Sequence, residues 1–269
     1  MGFRVRQFRR QLGLASAVGL CVLLSGAVSG GTNGGLSVAP PDREFRFTRL
    51  AYNGNFLDRG GFGRGSWTTD APEAEYHLLM GIRRLTRIDA IDPEREQFVA
   101  RQAMSPDLSE FPFLYAVEVG RWYLDDQEAR ALREYLEKGG FLMVDDFHGT
   151  EQWEGFMESM TRIFPDREVV EIPDDHEVFH VLYDLDQKVQ VPGIGALMGG
   201  STCEQCSYGG ATPHWRGVFD DKGRLMVAIN FNMDLGDAWE HADTPEYPQP
   251  LTALAYRFAI SYALYAMTH

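Results

Sequence analysis

From Phe111 to Val144 the chain spells out a strand, a capped helix and a second strand. Phe111–Val119 (FPFLYAVEV) is almost continuously apolar, the pattern of a strand covered on both faces. Asp125 and Glu128 stand three residues apart, as a capping box requires. Ala129, Leu132 and Leu136 then recur at helical spacing, and Gly139 stands where a helix ends in the left-handed region. Phe141–Val144 is a second buried run. Strands that alternate with helices in this way argue for a parallel sheet.

The flanking segments extend the alternation. Glu44–Leu50 (EFRFTRL) has the two-residue period of a half-buried strand. Asp70 reads as the N-cap of a helix, with Pro72 in its first turn, Glu73 completing a capping box, and Ala74, Leu78, Ile82 and Leu85 as its apolar stripe. Trp153, Phe156, Met157 and Met160 mark a third helix, and Glu168–Ile172 a further strand. Trp215–Phe219 and Arg224–Asn230, joined by Asp-Asp-Lys-Gly, predict a C-terminal β-hairpin. A last apolar helix runs from about Leu251 to Met267, where Arg257 argues against a membrane span. The expected fold is α/β: a mostly parallel sheet with helices on both faces, ending in that hairpin.

The N-terminus is of another kind. Arg4, Arg6, Arg9 and Arg10 precede an apolar stretch from Leu12 to Leu24, and Ala27-Val28-Ser29 offers a cleavage site. Residues 1–29 therefore read as a signal peptide or an N-terminal membrane anchor, and 30–43 as a linker. Residues 44–269 are left as a single α/β domain. The expected location is outside the cytoplasm, in the periplasm or cell envelope. Removing residues 1–29 takes away four arginines and no acid, so the formal charge of −14 becomes −18. So acidic a surface repels nucleic acid and leaves an envelope protein or a small ligand as partner.

Five motifs are candidates for chemistry. GGFLMVDDFHG (139–149) ends a buried strand with Asp145, Asp146 and His148, and NFNMDLGDAWE (230–240) leaves another strand with Asp234, Asp237 and Glu240. Sites in open α/β sheets form at the carboxyl ends of strands. If the two strands run the same way, these acids face one crevice and can act as acid, base or ligands of a hard cation. His176-Glu177-Val178-Phe179-His180 is literally H-E-x-x-H, a zinc pattern when it lies inside a helix, but Pro173 sits just upstream and Tyr183-Asp184-Leu185-Asp186 soon ends any helix. One of its histidines is expected to turn toward the crevice. Cys203-Glu-Gln-Cys206 suits a local disulfide, or a metal site with His214. GGFGRG (60–65) lacks the Lys-Ser/Thr of a phosphate loop, although Arg59 and Arg64 could hold an anion. Trp67, Trp153 and Trp239 could stack on a sugar ring.

FTRLAYNG, SWTTDAPEAE, FPFLYAVEVG, LREYLEKGGFLMVDDFHG, DDHEVFHVLYDL and GRLMVAINFNMDLGDAWE, in that order, resemble the bacterial domain of unknown function 4159 family over residues 44–268. The resemblance implies an exported or membrane-linked protein. It also implies a flavodoxin-like sandwich similar to class I glutamine amidotransferases. Those enzymes carry a cysteine nucleophile where this chain has Asp145-Asp146, and glutamine hydrolysis needs the thiolate. The expected function is a non-catalytic, amidotransferase-like scaffold that binds a ligand or protein partner and uses no cofactor. The alternative is a metal- or carboxylate-dependent hydrolase. Its catalytic candidates are Asp145, Asp146, His148, His176, Asp234 and Asp237. A divalent metal would draw its ligands from Asp146, His148, His176, His180 and Asp234.

Overall fold

The computed structural model describes residues 44–54, 66–96, 99–186 and 188–269. Residues 1–29, read as a signal peptide or anchor, the 30–43 linker, GGFGRG, Arg59 and Arg64 lie outside the described residues. Asp42–His269 form one compact unit.

Its strands are β1 (Thr48–Leu50), β2 (Asn53–Gly54), β3 (Val99–Arg101), β4 (Phe113–Val117), β5 (Trp122–Tyr123), β6 (Phe141–Asp145), β7 (Val170–Glu171), β8 (His214–Phe219) and β9 (Leu225–Phe231). Its helices are α1 (Glu73–Leu85), α2 (Asp126–Glu137), α3 (Gly149–Ile163), α4 (Ile194–Met198), α5 (Leu235–Glu240) and α6 (Gln249–Thr268). Seven strands form a sheet in the order β3-β1-β4-β6-β9-β8-β7. The fold is α/β. β1, β3, β4, β6 and β9 are parallel, while β8 runs antiparallel to both β9 and β7.

The two-residue alternation within each strand builds two cores. Phe113, Tyr115 and Val117 of β4 pack with side chains of α1, α5 and α6, and Leu114 and Ala116 pack with those of α2 and α3. Each side supplies the apolar cover that a parallel sheet needs. The capping box of α2 forms: Asp125 Oδ1 accepts from the amides of Gln127 and Glu128, and the Asp125 amide donates to Glu128 Oε2 at 3.0 Å. The helix stops at Gly139, at φ 113°. α3 presses so closely on the turn at Val119–Arg121 that a Cβ on Gly155 would lie 2.2 Å from the Gly120 carbonyl oxygen. Among the described residues, no helix is long and apolar enough to cross a membrane.

α1 departs from expectation. It begins at Glu73, and no side chain caps it. Asp70 contributes only its carbonyl, to the Ala74 amide. An N-cap residue normally has extended backbone, whereas Asp70 sits at φ 65°, which sends its carboxyl elsewhere.

Candidate functional site

The carboxyl ends of β4, β6 and β9 share one edge, because these strands are parallel and in register. Past that edge the exits of β6 and β9 stay tied together. The Asp146 amide donates to the Met233 carbonyl and the Asn232 amide to the Phe147 carbonyl, both at 3.0 Å.

Asp145, the last residue of β6, is fully buried. Its Oδ2 accepts from the amides of Leu235 (2.7 Å) and Gly236 (3.0 Å) and from the Tyr115 hydroxyl (3.2 Å). Burial pushes its carboxyl up to about 7, although those hydrogen bonds favour the anion. Asp146 turns out of the strand at φ 52°, and its Oδ1 lies 3.1 Å from His148 Nε2. Asp234 Oδ1 accepts from the Asp237 amide at 2.9 Å. Asp70 arrives from the segment before α1. One oxygen each from Asp70, Asp146 and Asp234 lies within 4.8 Å of the other two.

Three carboxyls this close and this buried cannot all be anions without compensation. Burial and neighbouring carboxylates push Asp70 up to about 8, although the Arg49 guanidinium opposes this. Burial first, and then the surrounding acids, hold Asp146 and Asp234 well above the usual carboxylate range. Burial also holds the His148 imidazole below its ordinary value. Asp70 Oδ2 and Asp145 Oδ1 are buried and receive no hydrogen bond. Of the five non-glycine residues at positive φ among the described residues, four, Asp70, Glu118, Asp146 and Asn232, surround this crevice.

Two glycines make the approach possible. A Cβ on Gly236 would lie 2.4 Å from Asp70 Oδ2. One on Gly193 would lie 2.5 Å from Asp234 Oδ2, 2.7 Å from Glu204 Oε1 and 3.0 Å from Asp237 Oδ2. A second group of possible ligands, Asp237, Glu240 and His241, also has oxygen and nitrogen atoms within 4.8 Å of one another. There Asp237 is already engaged, by the Ile194 amide and by His241 Nε2 at 3.2 Å.

Residues 46–267 match the family model for the domain of unknown function DUF4159. The chain belongs to the DUF4159 family. No curated relative matches it.

In this DUF4159 domain the fold gathers Asp145, Asp146, His148, Asp234 and Asp237 at one edge and leaves His176 and His180 out. His176 precedes a single 3-10 turn, Glu177–Phe179; its Nδ1 accepts from the Val178 amide, and its ring lies against Phe219 and Tyr265. Phe219 ends the antiparallel strand β8, so His176 sits at the amino edge of the parallel sheet, away from the crevice. His180 Nδ1 lies 2.9 Å from Asp184 Oδ1, and its Nε2 lies 2.9 Å from the Asp174 carbonyl oxygen. With no α-helix beneath them, the two histidines share no ligand face, and neither belongs to the site.

A disulfide joins Cys203 to Cys206, so the two thiolates are not available to a metal with His214, whose Nδ1 faces Glu171 Oε1 at 2.7 Å. Trp239 is buried in the core against Phe47 and Tyr115, and Trp153 packs on Phe147, Phe156 and Phe231. Trp67 packs against the α2–α3 core. These rings serve packing.

The sequence reading missed Asp70, Glu118 and Glu204. The cap-like spacing of Asp70 and Glu73 hid the first. Glu118 was hidden inside the apolar run 111–119, which leaves the sheet one residue earlier, after Val117, and Glu204 sits on a loop with no periodic signal. Glu204 lies inside the ring closed by the disulfide, where its Oε1 accepts from the Gly193 amide at 3.0 Å and stands 3.8 Å from His148 Nε2.

Proposed function

We propose that the carboxyl-edge crevice is a hard-cation site and that this exported envelope domain uses the cation to fix a ligand or partner. Asp70, Asp146 and Asp234 would be the ligands. An all-carboxylate donor set suits magnesium, calcium or manganese rather than zinc or copper. The observation that carries the reading is the convergence of three carboxyl oxygens within 4.8 Å, with buried oxygens of Asp70 and Asp145 lacking a donor. Protons or a cation must offset that charge, and a divalent ion removes two of the three negative charges with one particle.

The amidotransferase-like scaffold reading has support of its own. Asp146 occupies a positive-φ elbow between β6 and α3, where those enzymes place a cysteine. A carboxylate there cannot replace the thiolate in glutamine hydrolysis, which favours binding over that chemistry. The hydrolase reading rests on His148: its Nε2–H would donate to an ionised Asp146 at 3.1 Å, which leaves Nδ1, without a hydrogen-bond partner, as the nitrogen that could take a proton from a cation-bound water. The disulfide fits an oxidising compartment.

Elemental analysis of the purified chain and titration of the chelator-treated chain with calcium and manganese test the proposal. One cation per chain is expected, with the affinity lost in both Asp146→Asn and Asp234→Asn. A site that binds neither ion, or binds equally well in both variants, would overturn it. The disulfide offers a second check. Opening the ring in Cys203→Ser/Cys206→Ser frees Glu204 from the crevice wall, and the cation affinity should fall about tenfold, as for other outer partners of a metal site. An unchanged affinity would mean that the ring does not position Glu204.

A further inference from the structure

A cavity of about 1080 Å³ opens beside the crevice, along the outer side of the first half of α3. It slightly exceeds the common range of ligand sites, about 300–1,000 Å³. Its inner end is shared with the acidic site: His148 lines the cavity, is 5% exposed, and has its Nε2 3.1 Å from Asp146 Oδ1. Gly149 and Thr150 lie beside it at that end. Glu158, two helical turns on, lines the cavity as well, a run of about 12 Å at 1.5 Å per residue.

Two exposed tyrosines line the cavity. Tyr208, 74% exposed, sits on the loop that holds the disulfide, and its carbonyl accepts from Thr150 Oγ1 at 3.1 Å. The loop is thus fixed to the first turn of α3 while the ring is left bare. Tyr123, 41% exposed, belongs to β5, and the Arg162 guanidinium lies 4.8 Å from the centre of its ring. The amides of Gln152 and Gln205, the guanidinium of Arg121 and three glutamate carboxylates complete a lining that contains no aliphatic side chain.

We propose that this cavity binds a neutral polyhydroxylated ligand, a short glycan segment, whose inner end reaches the crevice past His148. The inference rests on the cation reading of the crevice and adds the ligand class. Two exclusions and the hydrogen-bonding groups of the lining lead to it. A lipid or an apolar peptide has no aliphatic wall to bury against. A polyanion meets the carboxylates of Glu151, Glu154 and Glu158, which outnumber the single guanidinium of the lining, Arg121, in a chain of formal charge −14. An amine would be drawn to the same carboxylates, and the spermidine probe decides that case. Hydroxyl groups suit all of these surroundings. They donate to carboxylates and to amide oxygens, accept from amide N–H, and add oxygen ligands to a hard cation. The apolar face of a sugar ring stacks on tyrosine. The expected aromatic surface therefore exists, but on Tyr123 and Tyr208 rather than on the tryptophans.

Saturation-transfer NMR on the full chain with calcium tests this, using a panel of neutral oligosaccharides: malto-, cello-, xylo-, manno- and chitotetraose. Spermidine and dextran sulfate serve as the cationic and anionic probes. Transfer to at least one oligosaccharide is expected, weakened at least fivefold in both Tyr208→Ala and Tyr123→Ala, with calcium affinity unchanged in those variants. Tyr208→Ala leaves the loop's backbone hydrogen bonds in place, so it separates lost stacking from lost folding. Absence of transfer from the whole panel to a chain that does bind calcium overturns the glycan proposal and leaves the cation site standing. Transfer to spermidine or dextran sulfate alone also overturns it. Oligosaccharide transfer that both tyrosine variants weaken but chelation leaves unchanged supports the cavity and removes its link to the cation.

Discussion

At pH 8, saturating manganese or calcium raises the unfolding midpoint by about 5–10 °C, and at pH 5 by much less. A cation at a hundred times its Kd stabilises a folded chain by about 2.7 kcal/mol, and a domain of this size shifts by about 2–4 °C per kcal/mol. The pH dependence follows from the raised carboxyls. Unfolded, Asp70 loses its proton near 3.8; folded, it keeps it to about 8, and Asp145 to about 7. Between those values the folded chain binds more protons than the unfolded chain, so stability of the cation-free protein falls as pH rises from about 4 to 8. A salt-bridged carboxylate behaves in the opposite way. The cation reverses the loss because it binds the deprotonated oxygens, and at pH 5 it must first displace protons. Asp146→Asn and Asp234→Asn should each stabilise the cation-free chain at pH 8 and abolish the gain from the ion. Thermal melts across pH 5–8, with and without chelator, measure all of this. A flat cation-free profile, or an equal gain at pH 5 and pH 8, would sink the cation reading.

The second large effect is expected at Arg49. This β1 residue and Glu75 of α1 are both fully buried and joined through Arg49 Nε and Glu75 Oε1. Arg49 Nη1 also donates to the carbonyls of Trp67 (2.9 Å) and Thr69, the segment that delivers Asp70. Arg49→Leu strands a buried carboxylate, a loss of about 3–5 kcal/mol. At about 2–4 °C per kcal/mol, the midpoint falls by about 6–20 °C. Arg49→Leu/Glu75→Leu removes both charges and should recover most of that stability, since replacing a buried pair by apolar side chains is often neutral. Cation affinity should stay weakened in the double variant, because the anchor of the 67–69 carbonyls is gone in both. Denaturant melts and calcium titration of the two variants separate the roles. A single variant that loses less than about 1 kcal/mol would show the pair to be dispensable.

Much of the framework was readable one segment at a time. The apolar runs became β4 and β6, the Asp125–Glu128 spacing became a formed capping box, and Gly139 ended α2 at positive φ. The convergence of Asp145, Asp146 and Asp234 was legible because parallel strands deliver their exits to one edge. The edge strand β3, Val99–Arg101, left no signal, being short and followed by irregular chain.

The amino-acid sequence by itself determined which segments would be strands and helices and which acids would leave the sheet together. Those properties depend on the side-chain period and on hydrogen bonds spanning a few residues, so a local pattern carries them. Only the tertiary structure decided which acids meet. Asp70 left its cap-like position for the crevice because a buried arginine fixes the preceding carbonyls and a left-handed backbone turns its carboxyl inward. His176 was excluded because its 3-10 turn packs at the other end of the sheet. Burial and distance between segments remote in the chain set these outcomes, and neither quantity is written in the spacing of residues.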